Sequence, residues 1–317
     1  MALRSNGGLV KTLDVIVGGD VFVDLIMSGF ASWPQPGTEA FAEALHRDVG
    51  GGAAISACGL ARLGSKTAVF GAIGEDNGAW IVARLRSFGV DTSLLRVERD
   101  EPTAVTVAVS TPDDRSFLTY RGANLRFPAM LAEAASSGQF AQARHFHLTS
   151  APDPAPAVEL LTAIRGQGCT VSLDVGWHED WLADPRALRL LPILDIFFPN
   201  LAEAGRMTGE SAPENILRKL ESAGAKRVAL KLGSDGAALL WDGDILSVRP
   251  NLIKSVDTTG AGDCFDAGFL HFWLQGAPPL TCLQAANFCG AASTEAYGGV
   301  AGFPSAERVK LELSKHA

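Results

Sequence analysis

The chain has 317 residues, 47% of them hydrophobic and 20% charged, with a formal net charge of −8. That is the make-up of a soluble globular protein of enzyme size, and the acidic balance excludes a general nucleic-acid or membrane-surface binder, which needs a basic face. The opening MALRSNGGLVKTLDVIVGG has no long apolar run, and no segment has the roughly 18 apolar residues that span a bilayer, so neither a signal peptide nor a membrane span is expected. Five cysteines, at 58, 169, 264, 282 and 289, form no C-x-x-C, which points to reduced thiols in a cytoplasmic protein.

In chain order, LDVIVGGDVFVDLIM (13–27) reads as a strand, its turn and a second extended piece. GGAAISACGLARLG (51–64) is small and apolar at helical spacing and stops at Gly64. SKTAVFGAIG (65–74) reads as a buried strand, and DNGAWIVARLRSFGV (76–90) as a helix closed by Gly89. TAVTVAVSTPDDRSFLTYRG (103–122) alternates as a hairpin with one wet face, turning at Pro-Asp-Asp. His145 and His147 alternate in the strand ARHFHLTS, where packing is the simpler role than metal ligation. Further strands fit CTVSLDV, LDIFFPN, RVALKLG, GAALLW and ILSVRP, with helices between the first of them and a helical end from about 262. Alternating strands and helices predict an α/β fold with a mostly parallel sheet covered on both faces. Segments 20–50 and 103–122 carry strands without helices between them; they predict a small β lid, an insertion in one domain spanning 1–317.

The stretch VDTTGAGDCFDAGF (256–269) concentrates the chemistry. Gly260 and Gly262 allow a tight turn with uncovered N–H groups. Phe265, Phe269, Phe272 and Trp273 then share one face of a helix beginning near Gly262. A helix N-terminus favours an anion, and it should keep Asp263 in its first turn ionised. A carboxylate beside an anion hole suits phosphoryl transfer to a hydroxyl: it takes the proton while N–H groups hold phosphoryl oxygens. A helix cap on a glycine turn is the plainer alternative for G-A-G-D alone.

D-T-T-G-A-G-D at 257–263 resembles the C-terminal signature of the ribokinase-like, or PfkB, carbohydrate kinases. The resemblance runs nearly the whole chain: Gly51-Gly52 with the helix ending ARLG, GAIGEDNGAW (71–80), PNLAE (199–203) and KLGSDGA (231–237) follow in the family's order. It implies a ribokinase-like three-layer sandwich and ATP-dependent phosphorylation of a hydroxymethyl group. By the same resemblance Asp263 is the general base, with Gly260, Ala261 and Gly262 as the anion hole. Asn200 and Glu203 organise Mg²⁺ through water, a role in keeping with magnesium's preference for oxygen ligands. Alone, that pair also fits a helix cap with its first-turn acid. Lys231, Gly233, Gly236 and Asn287 fall on the nucleotide side. Asp257 and Thr259 match a monovalent-cation loop, with YGGVAG (297–302) as the second loop, so a potassium requirement is a hypothesis.

At the substrate end the resemblance assigns Asp24 and Gly51-Gly52 to sugar hydroxyls and ring. Many relatives place Asn four residues after the second glycine; here Ser56 stands there, which shortens or removes a substrate contact. Arg121 in TYRGAN has the reach for a carboxylate or phosphate, with a solvated arginine as the alternative, and Asn124 lies in the same loop. Asp174 and Trp177 follow a strand, at the edge where ligands of open α/β sheets bind; packing is the competing role for Trp177. GLARLGSKT (59–67) is no Walker A loop, because it follows a helix and enters a strand. A sugar or sugar acid is the first choice of substrate and a nucleoside the runner-up; a catalytically idle sugar-binding protein is the alternative class. The alternating 103–122 hairpin permits a homodimer through the lid.

Overall fold

The computed structural model describes residues 4–5, 8–9, 11–33, 36–111 and 115–315, so the expected Pro-Asp-Asp turn at 112–114 lies outside the described residues. After a short antiparallel pair at Arg4–Ser5 and Gly8–Leu9, the elements are β1 (Leu13–Gly18), β2 (Phe22–Ser28), β3 (Ala44–Gly50), α1 (Gly52–Leu63), β4 (Thr67–Gly74), α2 (Glu75–Ser87), β5 (Leu95–Glu98), β6 (Val105–Ser110), β7 (Arg115–Tyr120), α3 (Phe127–Ser137), β8 (Ala143–Leu148), α4 (Pro154–Gly166), β9 (Thr170–Leu173), α5 (Glu179–Ala183), β10 (Ile196–Phe197), α6 (Leu201–Thr208), α7 (Pro213–Ser222), β11 (Arg227–Lys231), β12 (Ala237–Trp241), β13 (Asp244–Val248), α8 (Ala261–Leu274), α9 (Pro279–Ser293) and α10 (Ala306–Leu313).

Nine strands form the main sheet in the order β13-β12-β11-β10-β9-β8-β1-β4-β5. It is parallel except at β12 and β13, which return as antiparallel neighbours. Helices cover both faces, so its strands read as nearly continuous apolar runs. Successive side chains of β1 divide the core: Val15 and Val17 pack with α1, α8 and α9, while Ile16 packs with α3 and α4 on the other side. β5 and α3 are elements that the apolar pattern does not announce, and the helical end is three helices, with residues 296–305 in turns.

The second sheet has the order β3-β2-β6-β7 and uses the two segments expected of a lid. Strand β2 pairs antiparallel with β3 and parallel with β6, placing Asp24 opposite Asp48 and Thr106. Phe41, Leu45, Phe117, Leu118 and Tyr120, on or beside these strands, are exposed. All five cysteines are free and buried. Among the described residues no helix is long and apolar enough to cross a membrane.

Candidate active site

The site lies at the carboxyl edge of the main sheet, where parallel strands end and helices begin. There β1 delivers Asp20, β8 Thr149, β9 Asp174, β10 Asn200 and β11 Lys231. Gly260, the N-cap of α8, has φ 70°, in the left-handed region that glycine enters without penalty. The first i→i−4 bond of α8 runs from Cys264 N to Gly260 O at 2.9 Å. The amides of Gly262 and Asp263 therefore precede helical pairing and are donors for an anion. Facing this turn is Gly52, where an added Cβ would lie 3.0 Å from Asp263 Oδ1 and 2.8 Å from Thr149 Cβ. The two glycine turns thus bring the Asp263 carboxylate against the start of α1.

Asp263 differs from expectation in one respect. The helix end does not hold it in the ordinary carboxylate range; burial, and then the charge of Asp174, push it up to about 7, with Asp24 and Glu203 adding to the rise against Lys231. Such a carboxyl, half ionised near neutrality, is matched to take a proton at working pH. Glu203 is likewise raised to about 7 by burial and Asp174. Asp24, on β2, is raised to about 7 by burial and by Asp48 across the strand pair. Its carboxyl lies so close to Gly50 that any side chain there would collide with it. Asp48 is held by α2 through a two-pronged bond from Arg84, Nε to Oδ1 and Nη2 to Oδ2, each 2.8 Å.

Lys231 reaches the turn from the other side. Its Nζ donates to Asp174 Oδ2 at 2.7 Å and lies 3.0 Å from Asp266 Oδ1. It is also 3.3 Å from the point where a Cβ on Gly262 would sit. Burial opposes its charge, but Asp174, Asp266 and Glu203 together raise it above the ordinary lysine range. The same lysine holds Asp174 below the usual carboxylate range in spite of burial.

Asn200 and Glu203 form the reciprocal cap of α6: Glu203 N donates to Asn200 Oδ1 at 2.9 Å and Asn200 N to Glu203 Oε2 at 2.8 Å. The plainer alternative for the pair is therefore present, on a helix that starts at the cleft. Asp257 accepts from Thr259 N and Oγ1 through Oδ1, and from Gly298 N through Oδ2 at 2.9 Å, so it ties the Asp-Thr-Thr loop to the loop at 297–302. The Tyr297 ring stacks on His46 of β3, 4.6 Å between centroids.

Two expectations need correction. Ser56 is fully buried, and its hydroxyl donates to Asp263 O at 3.3 Å; it joins α1 to α8 and does not face a ligand. Asn124 is fully buried too, and its amide grips both backbone groups of Val21, accepting at 3.1 Å and donating at 3.2 Å. Trp177, for which an edge role and packing were both open, is 59% exposed. Lys231, expected on the nucleotide side, ends at the anion turn, and Asn287 lines a separate groove. That groove, of about 550 Å³, runs between residues 247–252, Leu280, Gln284 and Leu313. Asn287 Nδ2 donates there to Arg249 O and Asn251 Oδ1, both at 2.9 Å. Gly233 and Gly236 turn β11 into β12 with φ of 60° and 96°. Arg121 is exposed at the end of β7, and its charge opposes the upward shift that burial gives Asp20. Asp20, Asp48, Arg84, Thr149 and Asp266 are site neighbours that sequence reasoning missed: Asp48, Arg84 and Thr149 belong to no site motif, and Asp20 and Asp266 lie in quoted stretches beside the acids singled out there.

The fold, the glycine turns and the acid cluster can be set against known proteins. The chain is 30% identical over 275 residues to the 2-dehydro-3-deoxygluconokinase of Bacillus subtilis, covering 81% of this chain and 84% of that one. It is 31% identical over 306 residues to the ATP-dependent ribose-1-phosphate kinase of Halopiger xanaduensis, covering 92% and 99%. Among solved structures, Arabidopsis thaliana ribokinase complexed with ribose and ATP superposes with a TM-score of 0.83 at 27% identity, over 95% of this chain and 98% of that one. The profile of the pfkB family carbohydrate kinases matches residues 13–306. The expected ribokinase-like fold and kinase class are thereby borne out, and the chain belongs to the pfkB family of ATP-dependent carbohydrate kinases.

Proposed function

We propose that the chain phosphorylates a hydroxymethyl group of a sugar or sugar acid, with Asp263 as general base. The observation that carries this is the apposition of Asp263 Oδ1 to Gly52, 3.0 Å from an added Cβ, at the mouth of the α8 N-terminus. Asp263 removes the hydroxyl proton, and the Gly262 and Asp263 amides with Lys231 stabilise charge on the transferred group. Asp24 accepts hydrogen bonds from sugar hydroxyls, and the Gly51-Gly52 backbone lets the ring come close. The exposed Arg121 beside Asp20 favours a substrate with a carboxylate, the class named in the B. subtilis relative. When bound, Mg-ATP would supply the phosphoryl group, and its magnesium ion would offset the phosphate charge. Asn200 and Glu203 offer the oxygen donors a water-rich magnesium ion prefers, and the Asn287 groove suits the base of the nucleotide. Asp257 and Thr259 fit the monovalent-cation loop; equal rates in potassium and in tetramethylammonium would count against that. The small sheet acts as a lid, and its exposed apolar side chains suit a homodimer, which light scattering at working concentration tests.

The test of the reaction is ADP release with Mg-ATP and potassium across pentoses, hexoses, sugar acids and nucleosides, with Asp263→Asn beside the wild type. A substrate-dependent signal lost in the variant supports the reading. A nucleoside as the sole acceptor would replace the sugar. Silence over the panel from folded protein would favour an idle sugar-binding protein.

A further inference from the structure

Beneath the main sheet, between β8–β9 and α8, runs a line of polar side chains that the proposed reaction does not use. Thr170 Oγ1 lies 2.8 Å from His145 Nδ1, and His145 Nε2 lies 2.7 Å from Ser172 Oγ. Ser172 Oγ is 2.8 Å from His147 Nδ1, and His147 Nε2 is 3.6 Å from Asp266 Oδ2. His145, His147, Ser172 and Asp266 have no solvent exposure. Burial keeps both imidazoles neutral, His147 falling to about 3.

Asp266 is the anomaly in this line. Phe265, Ala267 and Phe269 around it in sequence are core residues, and an apolar side chain would serve packing as well. Its carboxyl is fully buried, and its close polar neighbours are the Asp174 carboxyl and the Lys231 ammonium, an arrangement that costs stability unless something else requires it. Burial pushes the carboxyl well above its ordinary range, and although Lys231 opposes this, Asp174 raises it further, so it stands as a neutral acid. What it faces, at 3.0 Å, is the Lys231 ammonium.

We propose that Asp266 is a positioning residue: with Asp174 it fixes the Lys231 ammonium beside Gly262, on the open side of the anion-binding turn. An ammonium has three donors. Asp174 and Asp266 draw on two of them, which leaves the third for an anion at the turn. A lysine side chain is long and flexible, and with Asp174 alone it would swing about that single contact. The far oxygen of Asp266 lies 3.6 Å from His147 Nε2, at the end of the His147–Ser172–His145 line inside the core. This inference rests on the kinase reading of the site.

The test compares Asp266→Leu, which fills the space without an acceptor, with Asp266→Asn, which keeps an acceptor without a charge. Asp266→Ala serves if the leucine variant does not fold, and thermal melting confirms folding in each case. Calorimetry gives the ratio of Mg-ATP to Mg-ADP affinity, which isolates the contact to the terminal phosphate and needs no sugar. The ratio is expected to fall toward one in Asp266→Leu and to stay near the wild-type value in Asp266→Asn. In sugar-dependent ADP release, Asp266→Leu should lose about 10²-fold in kcat with an unchanged sugar KM, the cost of misplacing a group by about 1 Å. A folded leucine variant with the wild-type ratio would overturn the proposal, and so would an asparagine variant as impaired as the leucine one. A wild type silent on every sugar, with the ratios as expected, would sink the kinase reading and leave the role of Asp266 standing.

Discussion

The two ends of the cleft are built differently. At the phosphate end, Lys231, Asp174 and Asp266 are carried by β11, β9 and the covering helix α8, and the Lys231 ammonium lies within 3.0 Å of both carboxyl groups. At the sugar end, Asp24 sits on a four-stranded sheet whose other face shows Leu118 and Tyr120 to solvent, and its closest charged influence is a like charge, Asp48. A paired, core-mounted cluster holds its geometry without ligand, whereas a like-charged pair on a thin sheet gains most when a ligand arrives. The contrast assigns chemistry to the rigid end and substrate choice to the adaptable one.

The sharpest break of this comparison is at Asp263. Asp263→Asn should lower kcat by about 10²–10⁴-fold with little change in sugar KM, read by coupled ADP release. Asp24→Asn, at the other end, should act chiefly on sugar KM, with a loss in kcat/KM of about 10–100-fold, the worth of a hydrogen bond to a charged group. If Asp24→Asn lowered kcat alone, the division between the ends would fail.

The pH profile follows from the raised acids. A base must be ionised to act, so kcat/KM should rise through pH 7, where Asp263 titrates in the free protein. Asp24→Asn should move that limb to lower pH, because the charge of Asp24 is among the causes of the rise. Stability has the opposite slope. Asp24 binds its proton more tightly folded, with a value of about 7 against 3.8 unfolded, so its contribution is lost as pH climbs from about 4 to 7. Asp24→Asn should therefore be more stable than the wild type at pH 8, by on the order of 4 kcal/mol in denaturant unfolding, with the gap closing at pH 4. The smallest effect is expected at Arg84→Met, which frees Asp48 from its fork: sugar KM should rise by a few fold with kcat retained.

Much of this was legible in the sequence where the signal is local. The strands Leu13–Gly18, Ala143–Leu148 and Arg227–Lys231 are apolar runs, and the D-T-T-G-A-G-D turn carries its helix start within seven residues. β10 was legible as a strand, though it contributes only two residues to the ladder. What eluded the sequence depends on convergence or on helix phase. Asp266, His147 and Lys231 come from α8, β8 and β11, which no spacing relates. Ser56 lies in a helix buried from Ala53 to Leu60 on every side, so its small-residue pattern has no wet face to show where the hydroxyl points. Asn124 follows the lid hairpin, where a ligand contact is a natural expectation; its amide is consumed by the backbone of Val21, a partner 103 residues away.

The five buried cysteines turn the molecule into its own clock. Burial holds the thiols of Cys58 and Cys264 above their ordinary range, one in α1 and the other directly after Asp263. A thiol reagent added to native protein must wait for these helices to part, since the reactive form is the exposed thiolate. The rate at which Cys264 is labelled is then a direct reading of how often the phosphate end opens. A bound nucleotide should slow that rate, while labelling of Cys169, beneath the opposite face of the sheet, keeps its pace.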